Sequence, residues 1–78
     1  MGTYPRINLK QGHYYRVRIS YIDHYLILKY LSFYPEDPLL PAIYVFVSVK
    51  DDDYYYVMKH EILSIKELDD DELTFELI

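Results

Sequence analysis

The amino-acid sequence predicts a mainly β protein: a single antiparallel barrel of five or six short strands with one short helical turn. Apolar and polar residues alternate through residues 14–21, with the period of two that a half-buried strand shows. Residues 42–49 are β-branched or aromatic at almost every position, which indicates a central strand covered on both faces. Turn residues recur at intervals of roughly 8–12 positions, a spacing typical of small barrels and sandwiches.

The predicted strands follow one another with short connections. The first covers residues 13–22 and the second residues 25–34, where a helix over residues 25–33 is the alternative. The connection Asp23-His24 lacks the glycine of tight hairpins, so we expect a longer turn or a bulge. The second strand would reach roughly 30 Å, a length at which a strand in a small domain usually bends. Further strands are expected at residues 42–49, 54–58, 62–68 and 73–78, with a 3₁₀ turn at 59–61.

Closure into a barrel would leave no unpaired sheet edge, which matters in a chain with 11 tyrosines among 78 residues. Residues 1–78 are too few for more than one domain. Residues 1–12 contain a proline and both glycines, and we expect a tail or an edge strand there. The side chains expected inside the barrel are Val17, Ile19, Leu26, Leu28, Val45, Val47, Val57, Ile62 and Ile65.

A proline-rich loop, residues 35–41, separates the second and third predicted strands. Its three prolines restrict it to extended or turn conformations. The loop contains two adjacent apolar residues, Leu39 and Leu40. Exposed, they would form a docking patch; folded back, they would cap one end of the barrel, which is the arrangement we expect.

Charge is distributed unevenly along the chain. Residues 1–35 hold five basic residues and one acid, whereas residues 36–78 hold three basic residues and twelve acids. Such asymmetry often marks a charged interaction surface. The alternative is that the acids collect in solvated turns and keep the protein soluble, because both Asp runs stand where turns are expected.

The sequence argues against catalysis. His13, His24 and His60 lie in different segments without metal-ligand spacing, and the chain has no cysteine. Both glycines precede residue 14, which argues against a glycine-rich phosphate loop. We therefore expect a protein without enzymatic activity, metal or cofactor.

No stretch of the chain reaches the ~18 apolar residues of a membrane span, and the N-terminus lacks an apolar signal region. The absence of cysteine favours a reducing compartment. We expect a soluble protein without a membrane partner, in the cytoplasm, or in the host cytoplasm if the chain is viral.

The leading functional hypothesis is a non-catalytic protein-binding module. Tyrosine buries a large area at low rotamer cost and keeps a hydroxyl group, so it is enriched among interface anchors. Beside acidic runs, such anchors favour a partner with a basic surface. The candidate binding residues are Asp51, Asp52, Asp53, Tyr54, Tyr56, Glu36, Asp37, Asp69, Asp70 and Asp71.

A compact acidic chain with these tyrosines resembles phage- or plasmid-encoded inhibitors of host enzymes, including anti-restriction and anti-CRISPR proteins. This likeness is one of type and involves no shared motif. It implies that rows of carboxylates take the place of phosphates and block a nucleic-acid-binding partner.

The segment Val57-Met58-Lys59-His60-Glu61-Ile62-Leu63-Ser64-Ile65 resembles the second Sm motif of the Sm-like RNA chaperones of the Hfq type. In that family a strand ends in a Tyr-Lys-His-Ala run, and an Ile-Ser segment starts the last strand. The resemblance implies an SH3-like or Sm-like small barrel. It also implies that Lys59 and His60 contact RNA at the centre of an oligomeric ring.

Nucleic-acid binding is therefore the alternative hypothesis. Tyr14, Arg16 and Arg18 share one face of the first predicted strand, and Lys29 lies on the next strand. Aromatic side chains beside cations on a sheet suit single-strand stacking, although the net charge of −5 opposes phosphate binding. The residues of this alternative are Tyr14, Arg16, Arg18, Lys29, Lys59 and His60. A homo-oligomer formed by edge-strand pairing is a further option.

Overall fold

The structure, a computed structural model, describes residues 9–77 and confirms a mainly β fold. Its elements are β1 (Tyr14–Ile19), β2 (Tyr25–Tyr34), β3 (Ile43–Ser48), β4 (Tyr54–Met58), a 3₁₀ turn (Lys59–Glu61), β5 (Ile62–Leu68) and α1 (Asp70–Leu77). The five strands form one antiparallel sheet in the order β4-β3-β2-β1-β5. The predicted 3₁₀ turn is confirmed, whereas the tail or edge strand expected at residues 1–12 falls mostly outside the described residues.

The sheet is not closed into a barrel, so that prediction is wrong. β4 and β5 lie at opposite edges, and no ladder joins them among the described residues. The sheet is nevertheless strongly curled. The edges of a flat five-stranded sheet would lie about 19 Å apart, whereas the chain from Met58 to Ile62 spans at most about 14 Å. The 3₁₀ turn therefore brings the two edges together at one end.

The hydrophobic core fills the inner face of this curled sheet. Its largest fully buried side chains are Phe46, Ile19, Leu28, Val17 and Val57. Val57 of β4 and two isoleucines of β5, Ile62 and Ile65, pack on the same cluster. Both edge strands therefore share one core although they form no ladder with each other.

Two side chains expected in the core, Val45 and Val47, lie on the sheet face opposite to Phe46. Val45 is nevertheless buried there, as predicted, whereas Val47 is half-buried. The register pairs Tyr30 with Phe46, so that Phe46 and its alternate neighbour Tyr44 point inward. Because every position of this strand except its last is apolar, the sequence offers no alternation with which to choose a face. The other expected core residues are buried or packed against the core: Val17, Ile19, Leu26, Leu28, Val57, Ile62 and Ile65.

β2 extends over residues 25–34, which confirms the strand and excludes the alternative helix. Its pairing with β3 shifts between Tyr30 and Ser32, a β-bulge at Leu31. The extra residue reverses the alternation, so Phe33 contacts the inward-facing Tyr44, with 4.7 Å between ring centroids. The carbonyl oxygen of Leu31 accepts a hydrogen bond from Gln11 Nε2 at 2.7 Å. The connection from β1 to β2 is a longer turn, residues 20–24, as expected.

The predicted last strand, residues 73–78, is wrong because residues 70–77 form α1. Asp69 Oδ1 accepts the backbone N–H of Glu72 at 2.8 Å, and Glu72 Oε1 accepts that of Asp69 at 3.4 Å. This reciprocal capping box starts the helix. The carboxylates of Asp70 and Asp71, in the first turn, interact favourably with the positive end of the helix dipole. Within residues 9–77 no helix has both the length and the apolar composition to cross a membrane.

The leucines of the proline-rich loop do not cap the sheet, so that expectation is also wrong. Leu39 is 91% and Leu40 60% exposed. The carboxylate of Asp37 accepts the backbone N–H groups of both leucines, at 2.7 and 2.8 Å. The loop is thus an ordered turn that holds the two side chains in solvent.

Replacement of Phe46 by alanine tests the position of the core. The side chain is fully buried, and we expect a loss of about 3–5 kcal/mol in the free energy of unfolding. A domain of this size has only a few kcal/mol of stability. Phe46→Ala should therefore be largely unfolded already without urea, as measured by circular dichroism at the start of a urea titration. The control is Phe75→Ala in α1, where Phe75 is 79% exposed; its unfolding free energy should change by about 0.5 kcal/mol or less. An unchanged urea midpoint for Phe46→Ala would contradict this core.

Candidate functional site

Five of the predicted protein-binding residues come together at one end of β4. We call this set the acid–tyrosine surface: Asp51, Asp52, Asp53, Tyr54 and Tyr56. The three aspartates are exposed, and Tyr54 and Tyr56 are 62% and 63% exposed. Both tyrosines point outward because the alternate residues, Tyr55 and Val57, pack against the core.

The turn that carries the aspartates has a defined backbone. Ser48 donates its N–H to the carbonyl of Asp53 at 2.7 Å, and Asp52 donates to the carbonyl of Ser48 at 3.0 Å. Asp51 Oδ1 accepts the N–H of Asp53 at 3.3 Å. Asp52 has φ 59°, in the left-handed region that aspartate tolerates better than most residues. The aspartates therefore shape the turn as well as charging it.

The remaining acids predicted for protein binding lie elsewhere. Glu36 and Asp37 are in the proline-rich loop, at the far end of β3 and about 20 Å of strand away. Cross-strand pairing joins one residue of each strand in a single row across the sheet: Leu68, Tyr14, Lys29, Val47 and Tyr54. Because Asp69–Asp71 follow Leu68, they lie at the same end of the sheet as the acid–tyrosine surface but beside the opposite edge strand. The ten residues therefore do not form one surface.

The residues of the nucleic-acid alternative lie partly together. Tyr14 pairs with Lys29 across β1 and β2, and Arg16 and Arg18 share their outer face. We call these four residues the cation–tyrosine strip. Lys29 Nζ lies 5.9 Å from the ring centroid of Tyr14. The other two residues of this alternative, Lys59 and His60, lie apart from it, in the 3₁₀ turn beyond the far end of β4.

Sequence reasoning missed one member of this face. The guanidinium carbons of Arg16 and Arg18 lie 5.7 and 5.9 Å from the ring centroid of Tyr25. Tyr25 is the register partner of Arg18 on β2. Only the strand register reveals this contact, because sequence distance alone does not give it.

Helix α1 offsets part of the positive charge of the strip. Glu76 forms an ion pair with Arg16, and Glu72 forms one with Lys66 of β5 at 2.8 Å. The open groove between helix and sheet, about 320 Å³, is lined by Arg16, Asp71, Glu72, Phe75 and Glu76. Four of its five side chains are acidic or aromatic, so the groove itself does not suit an anion.

The three histidines lie in separate parts of the fold. His13 Nδ1 is 3.6 Å from Glu67, His24 Nδ1 is 3.2 Å from Asp23, and His60 is in the 3₁₀ turn. The hydrogen bond from His24 lowers the pKa of Asp23. No group of three or more His, Asp or Glu side chains in the described part of the chain could hold a metal ion.

Three tyrosines belong to the core: Tyr15, Tyr30 and Tyr44. Burial raises the pKa of each phenol above its usual value of 10.0. The hydroxyl of Tyr15 accepts the N–H of Lys10 at 2.8 Å and donates to Glu67 Oε1 at 3.4 Å. The abundance of tyrosine therefore has two causes, since some rings build the core while others face solvent.

Comparisons with protein-family models, with curated proteins and with solved structures found no match to this chain. The features of the molecule that bear on function are therefore the geometry and the charge of its two surfaces.

The core tyrosines make stability depend on alkaline pH. The pKa values of these phenols are raised in the folded state, so the protonated rings contribute to the free energy of unfolding. This contribution is fully present below pH 10.0 and is lost as the pH rises through the pKa values of the folded state. We expect the urea midpoint of unfolding to fall above pH 10.0. The tyrosinate absorbance of the core rings should appear at a higher pH than that of exposed tyrosines. The fall should be shallower in Tyr44→Phe, which has one ionisation fewer. Simultaneous titration of all the tyrosines with no loss of stability would contradict their burial.

Proposed function

We propose that this chain is a non-catalytic protein-binding module that docks through its acid–tyrosine surface on a partner with a basic surface. The observation that carries the proposal is the pair of exposed rings, Tyr54 and Tyr56, beside the three exposed aspartates. A tyrosine ring that becomes buried on binding contributes apolar area, and its hydroxyl can keep a hydrogen bond. Rings of this kind beside a charged rim are typical of interface anchors.

The charges of the chain support this choice of surface. No ion pair between described residues involves Asp51, Asp52 or Asp53. In contrast, Glu72 and Glu76 of α1 pair with cations of the same chain. The aspartates of the turn thus present their charge outward, where it would steer a basic partner.

The finer form of the proposal is a small inhibitor of phage or plasmid type. Three carboxylates on an ordered turn can form ion pairs with cationic groups of a partner that otherwise bind phosphates. Binding of this kind would block a nucleic-acid-binding partner without any catalysis. The tyrosines would add contact area beside the site that the carboxylates occupy.

Two sets of substitutions test the surface by capture from an extract of the cell that encodes the chain. Tyr54→Thr with Tyr56→Thr keeps the strand propensity of β4 and should lose the captured partner. The control, Tyr34→Thr, removes an exposed tyrosine of β2 and should retain it. Asp51→Asn, Asp52→Asn and Asp53→Asn together should weaken the purified complex and flatten its salt dependence. Equal affinity of every variant would remove the acid–tyrosine surface from the function.

A second candidate is an RNA-binding protein of Sm-like type that acts as a ring, and the cation–tyrosine strip favours it. The strip and the neighbouring Tyr25 place two tyrosine rings beside three cations on one outer face. Light scattering would then find five to seven subunits, and oligo-U would bind at low salt. Replacement of Arg18 by Gln should weaken that binding, whereas the matched control Lys50→Gln should not. A monomer that does not bind RNA would eliminate this candidate.

A further inference from the structure

β4 is an edge strand that lacks the usual protections against pairing with another strand. It is uncharged from Tyr54 to Met58 and pairs with β3 in an unbroken register. The opposite edge strand, β5, carries a register shift at its pairing with Arg18 and Ile19, includes two charged residues and leads into α1. Bulges and charges are common protections of a sheet edge, and β4 has neither. A strand of another molecule would therefore add to β4 more readily than to β5.

Two residues of β4 direct their backbone groups away from the sheet. The hydrogen bond from Ser48 N–H to the Asp53 carbonyl sets the alternation along the strand, so the N–H and C=O groups of Tyr54 and Tyr56 point away from β3. Among residues 9–77, no hydrogen bond outside the sheet uses the backbone of these two tyrosines. The N–H of Met58 is already bonded to Glu61 Oε1 at 2.9 Å, which ends the open part of the edge.

The surroundings of this edge specify the side chains that an added strand would carry. Residues opposite Tyr54 and Tyr56 would share their outer face, where the two exposed rings offer apolar contact. The residue between them would lie opposite Tyr55 and point to the inner face of the sheet, where Tyr55 packs against the core. Apolar or β-branched residues suit all three positions.

The charges at one end of β4 specify what would follow these three residues. Asp51, Asp52 and Asp53 precede Tyr54 and are exposed. An antiparallel strand, the more stable arrangement per residue, would pass Tyr56 first and reach the aspartates last. Lysine or arginine just beyond the paired residues would form charge-assisted hydrogen bonds with the carboxylates. A second copy of this chain carries the same net charge of −5, so charge favours a basic partner over a second copy.

We propose that β4 binds an extended segment of another protein as an added antiparallel strand, in which apolar or β-branched residues are followed by basic residues. The inference rests on the proposed function, because it names the element of the basic partner that the acid–tyrosine surface holds. Main-chain hydrogen bonds to Tyr54 and Tyr56 contribute affinity, and the rings and carboxylates contribute specificity. Because only two residues of the edge are open, the main-chain bonds need these flanking contacts to offset the cost of association.

A synthetic peptide tests this pairing with the unaltered chain. The probe is acetyl-Thr-Thr-Val-Ile-Val-Lys-Lys-Lys-amide, whose valines would lie opposite Tyr56 and Tyr54 and whose isoleucine would lie opposite Tyr55. Its binding to the isotope-labelled chain is followed at low salt by the NMR signals of the backbone amides. We expect the signals of Tyr54 and Tyr56 to shift, with a dissociation constant below about 1 mM.

Methylation of single peptide nitrogens provides a matched pair of probes. An N-methyl group on the first valine removes an N–H that would point to β4, and it should raise the dissociation constant by about tenfold or more. The same group on the isoleucine replaces an N–H that would point away from β4, and it should change the constant by less than about threefold. The two methylated peptides have the same composition and charge, so only strand pairing distinguishes them.

Equal binding of the two methylated peptides, or no binding of the unmethylated peptide at millimolar concentration, would overturn the strand pairing. Shifts of the Tyr54 and Tyr56 signals on dilution of the chain alone would also overturn it, because a second copy would then occupy the edge. The capture experiment with Tyr54→Thr and Tyr56→Thr decides the proposed function separately. If those variants lose the partner while the two methylated peptides bind equally, the acid–tyrosine surface binds its partner without an added strand.

Discussion

The short connection between β4 and β5 determines the shape of the whole sheet. These strands are the two edges of the sheet, yet only three residues of 3₁₀ turn lie between them. The sheet must curl to satisfy that connection, and the curl creates the inner space that the core fills. Ser20 donates its N–H to the carbonyl of Glu61 at 2.8 Å, which ties the turn to the end of β1. Val57 and Ile62, one on each side of the turn, pack on the same core.

The same curl decides what the protein shows to solvent. Since one face of the sheet is filled by apolar side chains, polar and aromatic residues collect on the other, convex face. β4 presents tyrosines beside an acidic turn there, whereas β1 and β2 present cations over tyrosine rings. Helix α1 covers part of the cationic side with its own carboxylates and leaves the acidic side open. This difference in charge compensation favours the acid–tyrosine surface for binding.

The sequence was informative wherever a local pattern determined the structure. Alternation in β1 predicted its inward and outward faces, because period two is set by the strand itself, although the strand ends at Ile19 and not at residue 22. The apolar run of β2 predicted the bounds of that strand. The uniformly apolar β3 had no such pattern, and only its register with Tyr30 turned Phe46 inward. At the C-terminus the alternation of Leu73 and Phe75 suggested a strand, but the capping pair Asp69 and Glu72 gave a helix. The residues of the acid–tyrosine surface were predicted together because they adjoin in sequence, whereas Tyr25 comes to lie against the strip only through cross-strand pairing.

The curl of the sheet leaves β4 as an open edge, and amide hydrogen exchange measured residue by residue reports whether this edge is open. The hydrogen bond from Ser48 N–H to the Asp53 carbonyl sets the alternation along β4, so the N–H groups of Tyr55 and Val57 point toward β3 and should exchange slowly. The N–H groups of Tyr54 and Tyr56 point away from β3 and should exchange fast. Slow exchange at Tyr54 and Tyr56 would contradict an open β4 edge, since it would mean that β5 or another part of the same chain already closes this edge.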